Sequence, residues 1–314
     1  MHRTDADLAL LELLAALRRR GYRFVTPTNS TYRIVLRRPD KRIGRDLRDV
    51  LGWSLPFCPG SIDEEVETLL ARAGCLAAVD SGVKATVRVS EVQSQLFLHS
   101  AYPPDADAVF LGPDTYRFAE FLRSELSAAS RPIVRILDVG AGAGVGGIIA
   151  ARLTGASDVV LSDVNARGLH LASLNAAHAG TPVRTALGDS LGGLEGPFDL
   201  VIANPPFIAD DGRTYADGGH DGTALSLRWA SEALTRLSPD GRLLMYTGAP
   251  IVQGEDALRE ALARAASAHS MRFAYREIDP DIFGGELRRA AYAKFERIAA
   301  VGIVIGPARE IGAA

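Results

Sequence analysis

Four consecutive residues, Asn204-Pro205-Pro206-Phe207, follow directly on the apolar run Phe198-Asp199-Leu200-Val201-Ile202-Ala203. Two prolines in a row after a buried strand remove backbone donors and fix the chain, which suits a rigid loop. Such a loop offers two adjacent hydrogen-bond acceptors, the Asn204 side-chain oxygen and the Pro205 carbonyl. Together they can hold both N–H bonds of a planar NH2 group and favour its more tetrahedral form, in which the lone pair is exposed. The Phe207 ring can stack on a flat acceptor. The chemistry this suits is in-line attack by an amide or ring-amino nitrogen on an electrophilic carbon, with the proton lost after alkylation. The alternative is a purely structural Asn-Pro-Pro turn.

A second cluster lies upstream. The run Leu137-Asp138-Val139 leads into Gly140-Ala141-Gly142-Ala143-Gly144. Alternating glycines let the backbone turn sharply and let a ligand approach it. The same stretch reads as GxGxxG through Gly142, Gly144 and Gly147, so the glycines alone do not separate a dinucleotide from other ligands. Asp138 does. Its carboxylate would repel a pyrophosphate but suits the ammonium and sulfonium of S-adenosylmethionine. Asp163, with Val164 after it, closes the next apolar run and can accept from both ribose hydroxyls. Asp189, with Ser190 beside it, follows the third run and can accept from the adenine amino group. A cap or loop role is the alternative for each acid singly. Three acids at consecutive strand ends point to cofactor binding.

Asn204-Pro205-Pro206-Phe207 resembles the (D/N/S)PP(Y/F) motif of class I amino-methyltransferases, and the segment from Ile133 to about Ile305 fits that family. With Asn in first place the motif is most similar to the release-factor glutamine-N5 methyltransferases and the "small" ribosomal RNA guanine methyltransferases. Asp217-Gly218-Gly219-His220-Asp221-Gly222 resembles the Gly-Gly-x-Asp-Gly segment of the release-factor enzymes, where its glycines would let a lid close. His220 reads as an ordinary loop histidine, since this chemistry needs no base. The resemblance implies a Rossmann-like, doubly wound α/β sheet of seven strands. It implies S-adenosylmethionine at Asp138, Gly140, Gly142, Gly144, Asp163, Val164, Asp189, Ser190 and Asn204, and catalysis by Asn204, Pro205, Pro206 and Phe207. No metal is implied.

The elements that must position these residues fall into two halves. From Ile133 onward, strands are expected at 133–139, 159–163, 183–187, 198–203 and 242–247, with extended stretches at 271–277 and 292–305. Helices are expected at 145–153, 166–179, 223–237 and 255–268. Short β-branched runs with intervening helices describe parallel strands buried on both faces, with the ligand at their carboxyl ends. The first half is α+β. Helices are expected at 5–20, 46–51, 62–73 (opened by a Ser61/Glu64 capping box) and 114–128. Short strands are expected at 22–25 and 32–36, and a hairpin at 85–89 with 95–99. Helices followed by a hairpin resemble a winged-helix module. The expected domains are 1–129 for substrate recognition and 130–314 for methyl transfer, with the boundary near Ser130-Arg131-Pro132. Tyr116, Phe118 and Phe121 share a helix and read as core.

With 47% apolar and 23% charged residues, composition is ordinary for a globular chain. No long apolar run predicts a membrane span, and the start does not resemble a signal peptide. Cys58 and Cys75 stand alone, without disulfide or zinc spacing. A cytoplasmic setting is expected. Net charge is −3, yet Arg18–Arg48 holds eleven Lys/Arg against Asp40 and Asp46. That block points to RNA, DNA or the ribosome, or else to a solvated face. The acceptor can be a protein, an RNA or a small-molecule amine. The rival class is a non-catalytic S-adenosylmethionine-binding regulator, against which the intact NPPF speaks.

Overall fold

The computed structural model describes residues 3–127, 131–189, 191, 193–208, 218 and 222–307. The first half opens with α1 (Asp5–Arg19), whose Thr4 cap and Asp7 form a reciprocal capping box. Leu10, Leu13, Leu14 and Leu17 recur at helical spacing and are all buried. Then come α2 (Asn29–Val35), α3 (Leu47–Leu51) and α4 (Glu64–Arg72). Two antiparallel hairpins follow, β1 (Leu76–Val79) with β2 (Gly82–Ala85) and β3 (Val87–Val92) with β4 (Gln95–Ser100). Helix α5 (Pro113–Leu126) leads into the second half.

Three expectations for this half are corrected. Residues 22–25 are not a strand, and 32–36 fall in helix α2 and its C-cap. Tyr32 is fully buried, donates its hydroxyl to the Gly52 carbonyl at 2.6 Å and stacks on Tyr102 with ring centroids 4.5 Å apart. Long-range packing thus overrides the local alternation. Helix α4 is capped by Asp63, not Ser61. Asp63 accepts from the Val66 N–H and also pairs with Arg20 at 2.8 Å, so one side chain serves cap and ion pair. The β1–β2 hairpin was not expected from the sequence.

The second half alternates β5 (Arg135–Val139), α6 (Val145–Thr154), β6 (Asp158–Asp163), α7 (Ala166–His178), β7 (Arg184–Leu187), β8 (Phe198–Ala203), α8 (Ala224–Leu234), β9 (Leu237–Ile251), α9 (Ala257–Ala268), β10 (Arg272–Asp279) and β11 (Arg297–Gly306). Tyr292, expected in the last strand, sits in a 3-10 turn before it. The seven strands form one sheet in the order β10-β11-β9-β8-β5-β6-β7. β5 to β9 pair in parallel, while β11 runs antiparallel to both neighbours. One face is covered by α5 and α6, whose Phe118, Phe121, Leu122 and Ala150 share a core with Ile136, Leu200 and Leu244. The other is covered by α8 and α9, through Trp229, Ala233, Leu258 and Leu262. Apolar strands covered on both sides are the expected form of a parallel sheet.

One buried amide contributes to the junction between the halves. Asn175 of α7 is fully buried. Its Oδ1 accepts from the Leu98 N–H of β4 at 2.8 Å, and its Nδ2 donates to the carbonyls of Leu98 and Ala143 at 3.0 and 2.9 Å. The outer edge of the second hairpin is thereby tied to the glycine loop after β5.

Candidate functional site

Strand register brings the predicted residues to one rim. Val139 pairs with Ser162 on one side and Ala203 on the other, so the next residues, Gly140, Asp163 and Asn204, leave the sheet at a common level. They open into a cleft of about 660 Å³, the size of a small-ligand site. Its walls include Asp138, Gly140, Gly142, Asp163, Val164, Asp189, Asn204, Pro205, Pro206 and Phe207. Gly144 is not in the wall. It caps α6 and a Cβ there would lie 2.9 Å from Ala172. Ser190 lies outside the described residues, as do Asp217, Gly219, His220 and Asp221 of the expected lid.

The glycine loop is held from below. Gly140 and Ala141 donate to the Ser162 carbonyl at 2.8 and 3.0 Å. Gly140 has φ +68°, and a Cβ on it would strike the Trp229 ring at 2.4 Å, so backbone and packing both exclude a side chain. Gly147, which the GxGxxG reading assigned to a ligand, serves Asp138. Its N–H donates to Asp138 Oδ2 at 2.7 Å at the start of α6, and a Cβ there would strike Leu161 at 2.4 Å. Asp138 is 2% exposed. Burial pushes its carboxyl up to about 7, against the pull of the Gly147 N–H, and Asp163 adds repulsion.

Asp163 is locked by backbone. One oxygen accepts from the Gly142 N–H at 2.7 Å, the other from the Asn165 N–H at 2.8 Å. Asn165 in turn caps α7 by accepting from Arg167 and Gly168. Burial raises the Asp163 carboxyl, and these N–H groups hold it down in part. Asp189 is exposed, and its backbone carbonyl accepts from Arg228.

At the far end of the cleft, Asn204 and Pro206 are half-buried and Pro205 is buried. Phe207 is 8% exposed and presses on Gly248, where a Cβ would meet its ring at 2.4 Å. The loop's conformation is braced by Gly218, whose N–H donates to the Ile208 carbonyl at 2.7 Å. Phe283 meets Phe207 edge-on, with centroids 5.5 Å apart, and is itself exposed. It holds φ +56°, an unfavourable conformation for a bulky residue. Backbone strain of this kind gathers at functional sites.

Two wall residues escaped the sequence reading. Asp114 is 5% exposed and accepts from the Tyr246 hydroxyl at 2.7 Å; burial raises its carboxyl, while Tyr246 and Arg117 oppose the shift. In sequence Asp114 is an unremarkable acid in the first turn of a helix. Only the fold, by setting α5 across β9, turns it into the cleft. Phe118, read as core, is buried and also lines the wall.

The chemistry fits S-adenosylmethionine: a buried carboxylate beside an N–H-rich glycine loop, and an acid fixed at the end of the second strand. The sequence pattern of the methyltransferase small domain family matches residues 109–272, more than half of the chain. The chain is 31% identical over 197 residues to a release factor glutamine methyltransferase of Deinococcus radiodurans, covering 58% of this chain and 66% of that protein. It is 32% identical over 119 residues to ribosomal RNA small subunit methyltransferase C of Serratia proteamaculans, covering 37% and 31%. It spans two-thirds or less of these relatives' length. The crystal structure of Trm5b from Pyrococcus abyssi shares the fold at 15% identity and a TM-score of 0.50, over 77% of this chain and 68% of that one. A seven-stranded sheet of this order, a glycine loop answering to Asp138, and a sequence match across the same residues agree: the chain belongs to the methyltransferase small domain family.

Proposed function

We propose that this chain transfers the methyl group of S-adenosylmethionine to a planar amide or amino nitrogen, of a protein glutamine or a ribosomal RNA base. One observation carries the reading. Asn204-Pro205-Pro206-Phe207 and the acid-flanked glycine loop, 60 residues apart in sequence, line a single cleft. When bound, S-adenosylmethionine supplies an electrophilic methyl carbon on a sulfonium.

The chain's own residues do the rest. Asp138 answers the cofactor's ammonium, Asp163 its ribose hydroxyls, Asp189 with Ser190 its adenine, and Val164 the ring face. Gly140 and Gly142 keep the loop open to it, while Gly144 lets the loop turn into α6. Asn204 Oδ1 and the Pro205 carbonyl accept from the acceptor NH2 and turn its lone pair toward the reacting carbon. Pro206 stiffens the loop, and Phe207 flanks the acceptor. The residues before α5 act as a docking module, supported by the order α3, α4 and the β1–β2 hairpin, which resembles a winged helix, while α5 packs on the methyl-transfer sheet. No described helix is long and apolar enough to cross a membrane.

The test is methyl-labelled cofactor added with the purified chain to a lysate, followed by separation into protein, RNA and small molecules. Label is expected in protein or RNA, dependent on the chain. Label in neither, with cofactor bound, would leave a regulator. Label only in small molecules would move the reading to a biosynthetic amine.

A further inference from the structure

The basic stretch from Arg19 to Arg48 divides into two populations. Arg19 pairs with Glu65 at 2.6 Å, Arg20 with Asp63 and Glu65 at 2.8 and 2.6 Å, Arg23 with Glu91 at 3.3 Å, and Lys41 with Asp49 at 2.6 Å. Arg48 donates to the Arg23 carbonyl and lies over the Phe24 ring. These cations hold the first half together.

Arg33, Arg37, Arg38, Arg42 and Arg45 differ. All five are exposed, and none of their guanidinium groups meets a hydrogen-bond or ion-pair partner among the described residues. Asp40 is the only acid between Arg33 and Arg45. Arg33 itself is exposed and lines the cleft, so the tract begins at the cleft's wall.

We propose that the tract Arg33–Arg45 is the docking surface for the phosphate backbone of an unpaired RNA segment, one base of which enters the cleft. Unpaired like charges repel and favour a polyanion. Every free cation here is an arginine, whose planar fork matches phosphate oxygens in pairs. The acceptor end of the cleft is aromatic, with Phe207 and exposed Phe283 edge to face. Such a wall suits a ring with a π-face better than an amide on a flexible stem. A base paired in a duplex cannot reach Asn204, whereas RNA loops present bases already splayed. The base's destination rests on the methyl-transfer reading, but the docking is measured without turnover.

The test uses the full chain, a fluorescein-labelled oligouridylate as probe, and the triple variant Arg37→Glu/Arg38→Glu/Arg42→Glu, which leaves Arg33 in place. Cofactor affinity, measured alongside, reports that the variant is folded and its cleft intact. Wild-type binding should weaken steeply with salt. The variant should bind at least about tenfold more weakly, with a salt slope shallower by about two, at about 0.7 per lost single-strand contact. Equal binding by both proteins, or wild-type binding insensitive to salt, would overturn the proposal. Polyglutamate bound as tightly as oligouridylate would point to an acidic protein instead, and oligodeoxythymidylate bound more tightly would point to DNA. Either result overturns the assignment to RNA even if methyl transfer is intact, and methyl transfer can fail while the docking stands.

Discussion

The two ends of the cleft are built on opposite principles. At the glycine-loop end the polar groups are answered from within the protein: Asp163 by two backbone N–H groups, Asp138 by the start of α6, the loop itself by the Ser162 carbonyl. At the NPPF end the rigidity comes from prolines and packing, and Asn204 and Pro205 line the cleft together with an exposed, strained Phe283. The first end is a finished mould for one invariant ligand. The second keeps hydrogen-bonding capacity for a partner that comes and goes. Binding strength and turnover should therefore separate along the cleft.

The largest effect should come from the second end. Asn204→Ala is expected to lower turnover by about 10²–10³, the cost of removing one well-placed transition-state partner. Cofactor affinity, read by calorimetry, should stay within about twofold, because the cofactor end takes its residues from the first three parallel strands. Asn204→Asp, which still accepts hydrogen bonds, should retain part of the activity. A loss of cofactor affinity matching the loss of turnover would erase the distinction between the two ends.

Asp163→Ala should do the reverse. It removes a charged acceptor and releases the Gly142 N–H, so cofactor binding should weaken by about 1.5–3 kcal/mol. Turnover at saturating cofactor should fall much less. Unchanged affinity in this variant would show that the rim of β6 does not hold the ligand.

A smaller effect is expected from pH. Asp138 titrates near 7 in the folded chain because it is buried. A cationic ligand favours its ionised form, so cofactor affinity should fall by up to about tenfold per unit as pH drops below about 7. Stability of the cofactor-free protein runs the other way. An unfolded aspartate ionises near 3.8, so stability should decline as pH rises from about 4 to 7 and stay low above it. Asp138→Asn should abolish both trends, raising stability at neutral pH while weakening the cofactor. A pH-independent affinity in the wild type would remove Asp138 from the ligand's contacts.

Legibility in the sequence follows the same division. The parallel strands and their glycine loop are written locally, in β-branched runs that end in an acid or glycine, and Asn204-Pro205-Pro206-Phe207 announces a rigid turn by proline alone. What the sequence hid depends on distant partners. Helix α2 looks like a strand until Gly52 and Tyr102 claim Tyr32. Asp63 outcompetes Ser61 as a cap because it also holds Arg20. Asp114 becomes a cleft acid only because Tyr246 of β9 lies against α5. The basic block was visible as composition, but which of its arginines are free depended on where Asp63, Glu65, Glu91 and Asp49 fell.

The cradle formed by Asn204 and Pro205 should present a nitrogen to the methyl carbon. Its most direct test is the position of the new methyl in product made with carbon-13-labelled S-adenosylmethionine, read by NMR and fragmentation mass spectrometry. The label is expected on an amide or exocyclic amino nitrogen. A methyl found on carbon or oxygen, in product formed by the wild type and lost in Asn204→Ala, would rule out that role for Asn204.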